Sequence, residues 1–283
     1  MHNCIKGVII IQMKVGLYYN SNSIETNKKN IEKFFSALSE KNIKCERVDS
    51  VNKIKGLDIL VVFGGDGTIL TIASECAAHG VKIIGINYGH IGFLAEFEPN
   101  QLAEALNLVC NGNFTTEYRS MLCVTHSSGG VYYALNDAVI QRSTSGNSFS
   151  NTINLHAEIN GSTVDNFSAD GLILSTPTGS TAYSLAAGGS ILAPDLGAFI
   201  MTPICAHSLH SRPIVFSDNC TVTVNRIDNR GTVNLIIDGK AVDEIKKDDI
   251  ITVKKAERYV EFISLPNGNF YNKLLYKLNV WGK

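Results

Sequence analysis

Asp58-Ile-Leu-Val-Val-Phe63 followed at once by Gly64-Gly-Asp-Gly-Thr68 decides how the rest of this chain is read. The apolar run does not alternate, which is the pattern of a strand buried on both faces of a parallel sheet. Three glycines and one acid then close it. Glycine leaves the backbone N–H groups bare, so a phosphate can lie against the turn. The segment Ile69-Leu-Thr-Ile-Ala73 reads as a helix start whose N-terminal dipole faces the same anion. Asp66 would repel phosphate; it is placed to hold a metal ion or to take a proton from an attacking hydroxyl.

Working outward, residues 14–20 read as a strand and residues 25–41 as an amphipathic helix, with Ile31, Phe34, Phe35 and Leu38 at helical spacing. Strands at 44–48, 58–63 and 81–86 and a helix at 101–110 continue the alternation. This predicts an α/β N-terminal domain, doubly wound on a mostly parallel sheet, with ligands beyond the carboxyl ends of its strands. After about residue 115 the pattern becomes short and β-branched: 121–125, 130–135, 153–159, 172–175, 220–224, 233–237 and 250–253. Ser128-Gly-Gly130, Asn160-Gly161 and Asp238-Gly239 punctuate these segments. An all-β, sandwich-like C-terminal domain follows. Residues 271–278 return to a helical pattern. The expected domains are 13–115 and 116–265, with residues 1–12 an extension ahead of Met13.

The 283 residues favour two domains over one. A composition 45% hydrophobic and 18% charged suits a globular protein, and a net charge of −1 without like-charge blocks gives no support for an electrostatic nucleic-acid or membrane-surface role. No apolar run has the length of a membrane span, and the 7–11 run is too short for a secretion signal. The 7 cysteines, Cys4, Cys45, Cys76, Cys110, Cys123, Cys205 and Cys220, form no C-x-x-C pair. They read as scattered buried thiols of a reducing cytoplasm rather than as zinc ligands or disulfides.

A second stretch rich in chemistry is Ser175-Thr-Pro-Thr-Gly-Ser-Thr-Ala-Tyr-Ser184 with Leu185-Ala-Ala-Gly-Gly189. Six serine and threonine hydroxyls lie between an apolar strand and a small-residue helix start, a composition that predicts a nest for phosphate and ribose oxygens. Asn136-Asp137 and Asp170-Gly171, each taken alone, are ordinary turn pairs. Asn87-Tyr-Gly-His-Ile-Gly-Phe-Leu94 is a glycine-spaced loop in which Phe93 either stacks on a flat ring or fills core. His207 and His210 lack an acid at metal-ligand spacing and read as structural or surface residues; no metal site is expected. There is no Walker A string and no Gly-x-Gly-x-x-Gly after the first strand.

Taken in order, Gly64-Gly-Asp-Gly-Thr68, Gly89-His-Ile-Gly-Phe-Leu94, Asn136-Asp137 and Asp170-Gly171 through Gly189 resemble the NAD kinases, which phosphorylate the adenosine ribose of NAD. The first string is shared with diacylglycerol and sphingosine kinases. The resemblance implies a last helix, within 266–283, that returns to the N-terminal domain. Matched by motif, Asp66 is the general base on the 2′-hydroxyl. Gly67, Asn136, Asp137 and Asp170 are NAD contacts, and Phe93 packs on the adenine. Thr181, Ala182, Tyr183, Ser184, Leu185 and Ala186 line the nucleotide, and Cys205 stands at a variable nicotinamide-side position. Gly64, Gly65, Gly67 and Thr68 would hold the ATP phosphates, with Mg²⁺ or another divalent cation bound mainly through ATP. Two departures stand out. Ser168 replaces the basic residue many members carry two positions before the matched aspartate, and Asp238-Gly-Lys240 stands where many have Asp-Gly-Gln. The implied partners are NAD and ATP, with polyphosphate open as a donor, in a cytoplasmic homodimer or homotetramer. A lipid kinase sharing the glycine turn, and a nucleotide sensor without turnover, are the alternatives. Neither explains both the near-neutral charge and the intact Asp66.

Overall fold

The computed structural model describes residues 13–19, 24–88, 92–143, 152–208, 210–228, 231–265 and 270–281. The expected 1–12 extension and residues 89–91 of the glycine-spaced loop lie outside the described residues. The chain divides into two compact units: Met1–Thr116 with Ile263–Pro266, and Glu117–Phe262 with Asn267–Lys283.

The first unit runs β1 (Lys14–Tyr19), α1 (Ile24–Glu40), β2 (Lys44–Val48), β3 (Ile59–Phe63), α2 (Asp66–His79), β4 (Lys82–Ile86) and α3 (Leu102–Asn111). The four strands are parallel in the order β2-β1-β3-β4, with Leu17 opposite Val61 and Val61 opposite Ile84. β3 is central and buried at every position, the reason its sequence lacks alternation. Val61 and Phe63 meet Ile31, Phe34 and Leu38 of α1 and Leu102, Ala105 and Val109 of α3 in one core. Leu60 and Val62 alternate to the other face, where Ile69, Ile72, Ala73 and Cys76 of α2 are also buried. Each such side chain removed from water contributes about 1.5–3 kcal/mol. The core therefore fixes where β3 ends and where the following turn stands.

The second unit runs β5 (Thr115–His126), β6 (Val131–Ala134), β7 (Asp137–Arg142), β8 (Ile153–Ile159), β9 (Ser162–Ala169), β10 (Gly171–Ser175), α4 (Tyr183–Ala186), β11 (Ala198–Ile204), β12 (Ile214–Ser217), β13 (Val222–Arg226), β14 (Val233–Ile237), β15 (Lys240–Glu244), β16 (Ile250–Ser264) and α5 (Phe270–Trp281). Its strands form two antiparallel sheets. One orders β16-β13-β8-β9, with β5 joining β16 and β6; the other orders β12-β11-β10-β7-β14-β15. Ala138, Ile140, Leu172, Leu174 and Leu235 of the second sheet share one core with Leu122, Leu155, Phe167, Val224 and Ile251 of the first, so the unit is a sandwich. On the other side of the second sheet, Val139, Ile173 and Ile204 pack with Ala187. That sheet is thus covered on both faces, which accounts for the unbroken burial of β10 and β11.

Ile263, at the end of β16, lies in the core of the first unit. α5, with Tyr271, Leu275 and Tyr276 exposed, groups with the second unit.

Candidate active site

In the first unit, β3 does not end in a free turn. Gly64 N–H still donates to Ile86 O at 3.0 Å, and Gly65 is the extended N-cap of α2. The helix begins at Asp66, three residues before the Ile69 start that the sequence suggested. The glycine turn is therefore the first turn of α2, whose leading N–H groups lack intrahelical acceptors. Asp66 stands at the positive end of the helix dipole.

Both oxygens of Asp66 are held from a distant loop. Phe93 N–H donates to Oδ2 at 2.6 Å and Leu94 N–H to Oδ1 at 3.0 Å. The loop comes this close because residue 92 is glycine: a Cβ there would overlap Oδ1 and stand 2.7 Å from Oδ2. Its neighbour Asn87 is buried and donates to Glu98 Oε1 at 3.2 Å, and Tyr88 accepts from Asn30 Nδ2 at 2.9 Å. The backbone that reaches Asp66 is thus tied down on its N-terminal side.

Gly67 and Thr68 open onto a depression of about 560 Å³ that is also lined by Tyr18, Tyr19, Arg47, Asp49 and Thr71. It lies past the carboxyl ends of β1, β2 and β3, the usual ligand position in such sheets. The Arg47 guanidinium sits 4.7 Å from the centre of the Tyr19 ring. Lys53 Nζ bonds Asp49 Oδ2 at 2.9 Å and holds that carboxyl below its usual range. Sequence reading did not single out Arg47, Asp49 or the two tyrosines. The available signal was their place at the ends of strands flanking β3.

In the second unit the hydroxyl-rich string behaves differently from the expected nest. Ser175, Thr176, Thr178, Ser180, Thr181 and Ser184 are all buried. Ser175 Oγ donates to Asn136 O at 3.1 Å and Thr176 Oγ1 to Leu135 O at 2.6 Å. Ser180 Oγ donates to Pro177 O at 2.6 Å, Thr181 Oγ1 to Thr178 O at 3.2 Å, and Ser184 Oγ shares a 2.8 Å bond with Thr202 Oγ1. The expected small-residue helix is only the single turn Tyr183–Ala186. The hydroxyls fold a tight reversal against β7 and β10 instead of facing solvent, because buried hydroxyls must find acceptors. Gly179 lies so close to Asn136 O that a Cβ there would overlap it.

This reversal brings Asn136, Asp137 and Thr181 into one neighbourhood. It leaves Ala182, Tyr183, Leu185 and Ala186 at least partly exposed, with Gln141 Nε2 donating to the Tyr183 hydroxyl at 3.1 Å. Burial, and then the nearby Asp238 carboxylate, push the Asp137 carboxyl up to about 7. Asp170 pairs with Arg142 Nε at 2.7 Å, and its N–H donates to Ile204 O at 2.9 Å, next to exposed Cys205. Arg142 therefore supplies the cation beside Asp170, while Ser168 bonds Thr152 Oγ1 at 2.9 Å. His210 faces Asp165 at 3.6 Å, and among the described residues no group of three or more His, Cys, Asp or Glu is arranged to hold a metal.

The ATP-NAD kinase N-terminal domain model matches residues 10–114, and the C-terminal domain model matches residues 135–265. The NAD kinase of Desulforamulus reducens is 36% identical over 285 aligned positions, covering 94% of this chain and 97% of its own. The chain belongs to the ATP-NAD kinase family. The NAD kinase of Thermoanaerobacter sp. strain X514 is 38% identical over 225 residues, 78% of each chain. Among solved structures, yeast NADH kinase complexed with NADH superposes with a TM-score of 0.83 at 25% identity, covering 94% of this chain and 87% of that one. An NAD kinase from Archaeoglobus fulgidus in complex with ATP gives a TM-score of 0.78 at 26% identity, covering 94% and 99%. The ATP-NAD kinase family is thus matched by both units, and the chain is a kinase with an α/β unit followed by an antiparallel β unit.

Proposed function

We propose that this chain transfers the γ-phosphoryl group of ATP to the 2′-hydroxyl of the adenosine ribose of NAD, giving NADP. One observation carries the catalytic assignment: the only carboxylate of the glycine turn is oriented by two backbone amides, beside a depression that borders Gly67 and Thr68. The nucleotide-bound states of the related yeast and Archaeoglobus proteins support the two substrates.

A ribose hydroxyl is a poor nucleophile, so the reaction needs alignment, charge neutralisation and proton removal. The N–H groups of Gly65 and Gly67 and the hydroxyl of Thr68 bind the donor phosphates; Gly64, expected among them, instead gives its N–H to Ile86 O and leaves room for the Thr68 side chain. Arg47, in the same depression, adds a positive charge. Asp66 Oδ accepts the 2′-hydroxyl proton while the amides of Phe93 and Leu94 keep the carboxylate from swinging away. In the second unit Asn136, Asp137, Asp170 and the segment 181–186 recognise the acceptor and Cys205 stands toward the nicotinamide, while Phe93, a residue of the first unit, packs on its adenine. A buried recognition group left without its partner costs about 1–3 kcal/mol, enough to separate a full dinucleotide from a fragment.

The residues fit a divalent cation borne mainly by ATP: Asp49 would offer a hard oxygen atom in the depression bordered by Gly67 and Thr68, and Mg²⁺ commonly takes one or two carboxylates plus substrate phosphates. When bound, Mg²⁺ neutralises phosphate charge. The reading includes a cytoplasmic homodimer or homotetramer; among the described residues no helix is long and apolar enough to cross a membrane.

The test mixes the protein with NAD, ATP and Mg²⁺ and detects NADP with an NADP-specific dehydrogenase. Asp66→Asn is expected to lose at least a hundredfold in turnover, within the range of general-base catalysis, while NAD binding by calorimetry persists. A near-normal rate in that variant removes Asp66 from the base role.

A further inference from the structure

The turn that carries Asn136 and Asp137 is held by Asp238, which the family resemblance matched only as a turn residue and to which the reaction gives no part. Asp238 sits at the β14–β15 hairpin turn, and its carboxylate accepts three consecutive main-chain N–H groups: Leu135 at 2.8 Å, Asn136 at 2.7 Å and Asp137 at 3.1 Å. Its own N–H donates back to Asp137 O at 3.0 Å. Three successive amides around one carboxylate form a closed anion cradle, filled here from within the chain. The carbonyl side of the same turn is fixed from the end of β10: Asn136 O accepts from Thr176 N–H and Ser175 Oγ, and Leu135 O accepts from Thr176 Oγ1.

We propose that Asp238 is a positioning residue for the phosphoryl acceptor: its carboxylate locks the turn that presents Asn136 and Asp137 to the dinucleotide. This rests on the NAD-binding role assigned to that turn. The backbone supports the arrangement, since Asp238 adopts φ +45° and is followed by Gly239 at φ +79°, a paired left-handed turn that aspartate tolerates. Hydrogen bonds to a charged acceptor are about twice as strong as neutral ones, so the lock is firm.

The electrostatics agree. Asp137 is 5% exposed. Its carboxyl is faced by Asp238 from the β14–β15 turn, while Ser175, opposite it on β10, is uncharged. Lys240, at the end of the same turn, acts on Asp238. The pair shares less than two full charges at neutral pH. Burial raises the Asp238 carboxyl while the three amides and Lys240 lower it, and burial and then Asp238 push Asp137 up to about 7, so the amides favour the charge on Asp238. Asp238 thus fixes the position of its neighbour and, after burial, adds to the upward push on its carboxyl.

Two variants of the full chain test this. Asp238→Gly deletes the acceptor and tolerates the positive φ; Asp238→Asn keeps the shape and one acceptor oxygen but removes the charge. In Asp238→Gly, amide hydrogen exchange across residues 135–137 is expected to speed up at least tenfold. KM for NAD should rise about tenfold or more, equivalent to about 1.4 kcal/mol, with KM for ATP changed less than twofold. Asp238→Asn should give an intermediate KM for NAD, and the inflection near pH 7 in kcat/KM for NAD should move part of the way to lower pH, because burial still raises Asp137 while the added push of the Asp238 charge is gone. Unchanged exchange, equal rises in KM for both substrates, or an unmoved inflection in Asp238→Asn would overturn the assignment. If Asp238→Gly does not fold, the exchange and pH profile of Asp238→Asn decide alone, and failure of that isosteric variant to fold counts against a positioning role. A wild-type chain that makes no NADP refutes the functional reading, while the exchange measurement still reports whether Asp238 fixes the turn.

Discussion

Gly92→Ala removes the support of Asp66 without touching Asp66. Position 92 is partly exposed and its φ lies outside the left-handed region, so alanine brings no backbone strain of its own. What it brings is one methyl directed at the carboxylate: the new Cβ overlaps Oδ1 and stands 2.7 Å from Oδ2, where real Cβ contacts stay beyond 3.0 Å. Either the carboxylate rotates or the 92–94 loop withdraws. Both break the 2.6 Å and 3.0 Å bonds from the Phe93 and Leu94 amides. Each is a hydrogen bond to a charged group, of order 1.5–3 kcal/mol, although exposure of Asp66 to water offsets part of the loss. Stability is therefore expected to fall by about 1–2 kcal/mol. Catalysis suffers more, since the base must move by roughly 1 Å, and a misplacement of that size costs about a hundredfold in rate. The assay is the coupled NADP readout at saturating substrates, beside thermal unfolding of the same preparation. The expected result is a folded enzyme with kcat down about a hundredfold and both KM values within a few-fold. A Gly92→Ala enzyme with wild-type kcat would show that the amide support of Asp66 plays no part in the reaction.

Other outcomes follow from the same geometry. Arg47→Ala is expected to raise KM for ATP severalfold, about 1 kcal/mol or less because the guanidinium is solvent-exposed, and to leave KM for NAD unchanged; the difference should fade as salt is raised. An equal effect on NAD would take Arg47 out of the donor pocket. Asp137 gives a pH dependence of stability. Its folded carboxyl is pushed up to about 7 from the ordinary 3.8, so between those values the native state keeps a proton that the unfolded chain has released. The stabilisation is therefore fully present below about pH 4 and is lost as pH rises through about 7, at roughly 1.4 kcal/mol per tenfold change in the proton equilibrium. Thermal unfolding from pH 5 to 8 should show that decline, and Asp137→Asn should flatten it. A decline of the same slope in the variant would assign it to another group.

Where one physical signal dominated, the sequence was legible. The unbroken apolar run of β3 could only be a strand covered on both faces, and the amphipathic spacing of Ile31, Phe34 and Leu38 could only be a helix against that sheet. Strands whose burial comes from neighbours gave no such signal. β7 opens on Asp137, the second residue of a pair with Asn136 that alone reads as a turn, and ends on polar Gln141 and Arg142. β9 is a polar edge strand, and β11 carries Pro203, a residue that argues against a central strand. β16 runs on to Ser264, well past the four residues its β-branched start suggested. The hydroxyl string misled for a related reason. Composition reports that hydroxyls are present, whereas only packing tells whether their acceptors are ligand oxygens or the carbonyls of residues 135, 136, 177 and 178.

By itself the chain determined that an acid stands between a buried strand and a helix, in a turn bare enough for phosphate, because strand, glycines and helix are contiguous and each is encoded within a few residues. Only the tertiary structure decided what holds that acid and what holds the acceptor turn. Asp66 is gripped by amides 27 and 28 residues further on, and Asn136 by a carboxylate 102 residues away. Those partners meet because sheet packing sets the course of the loops between strands, and main-chain N–H groups, identical at almost every position, leave no mark in the sequence of which side chain they will meet.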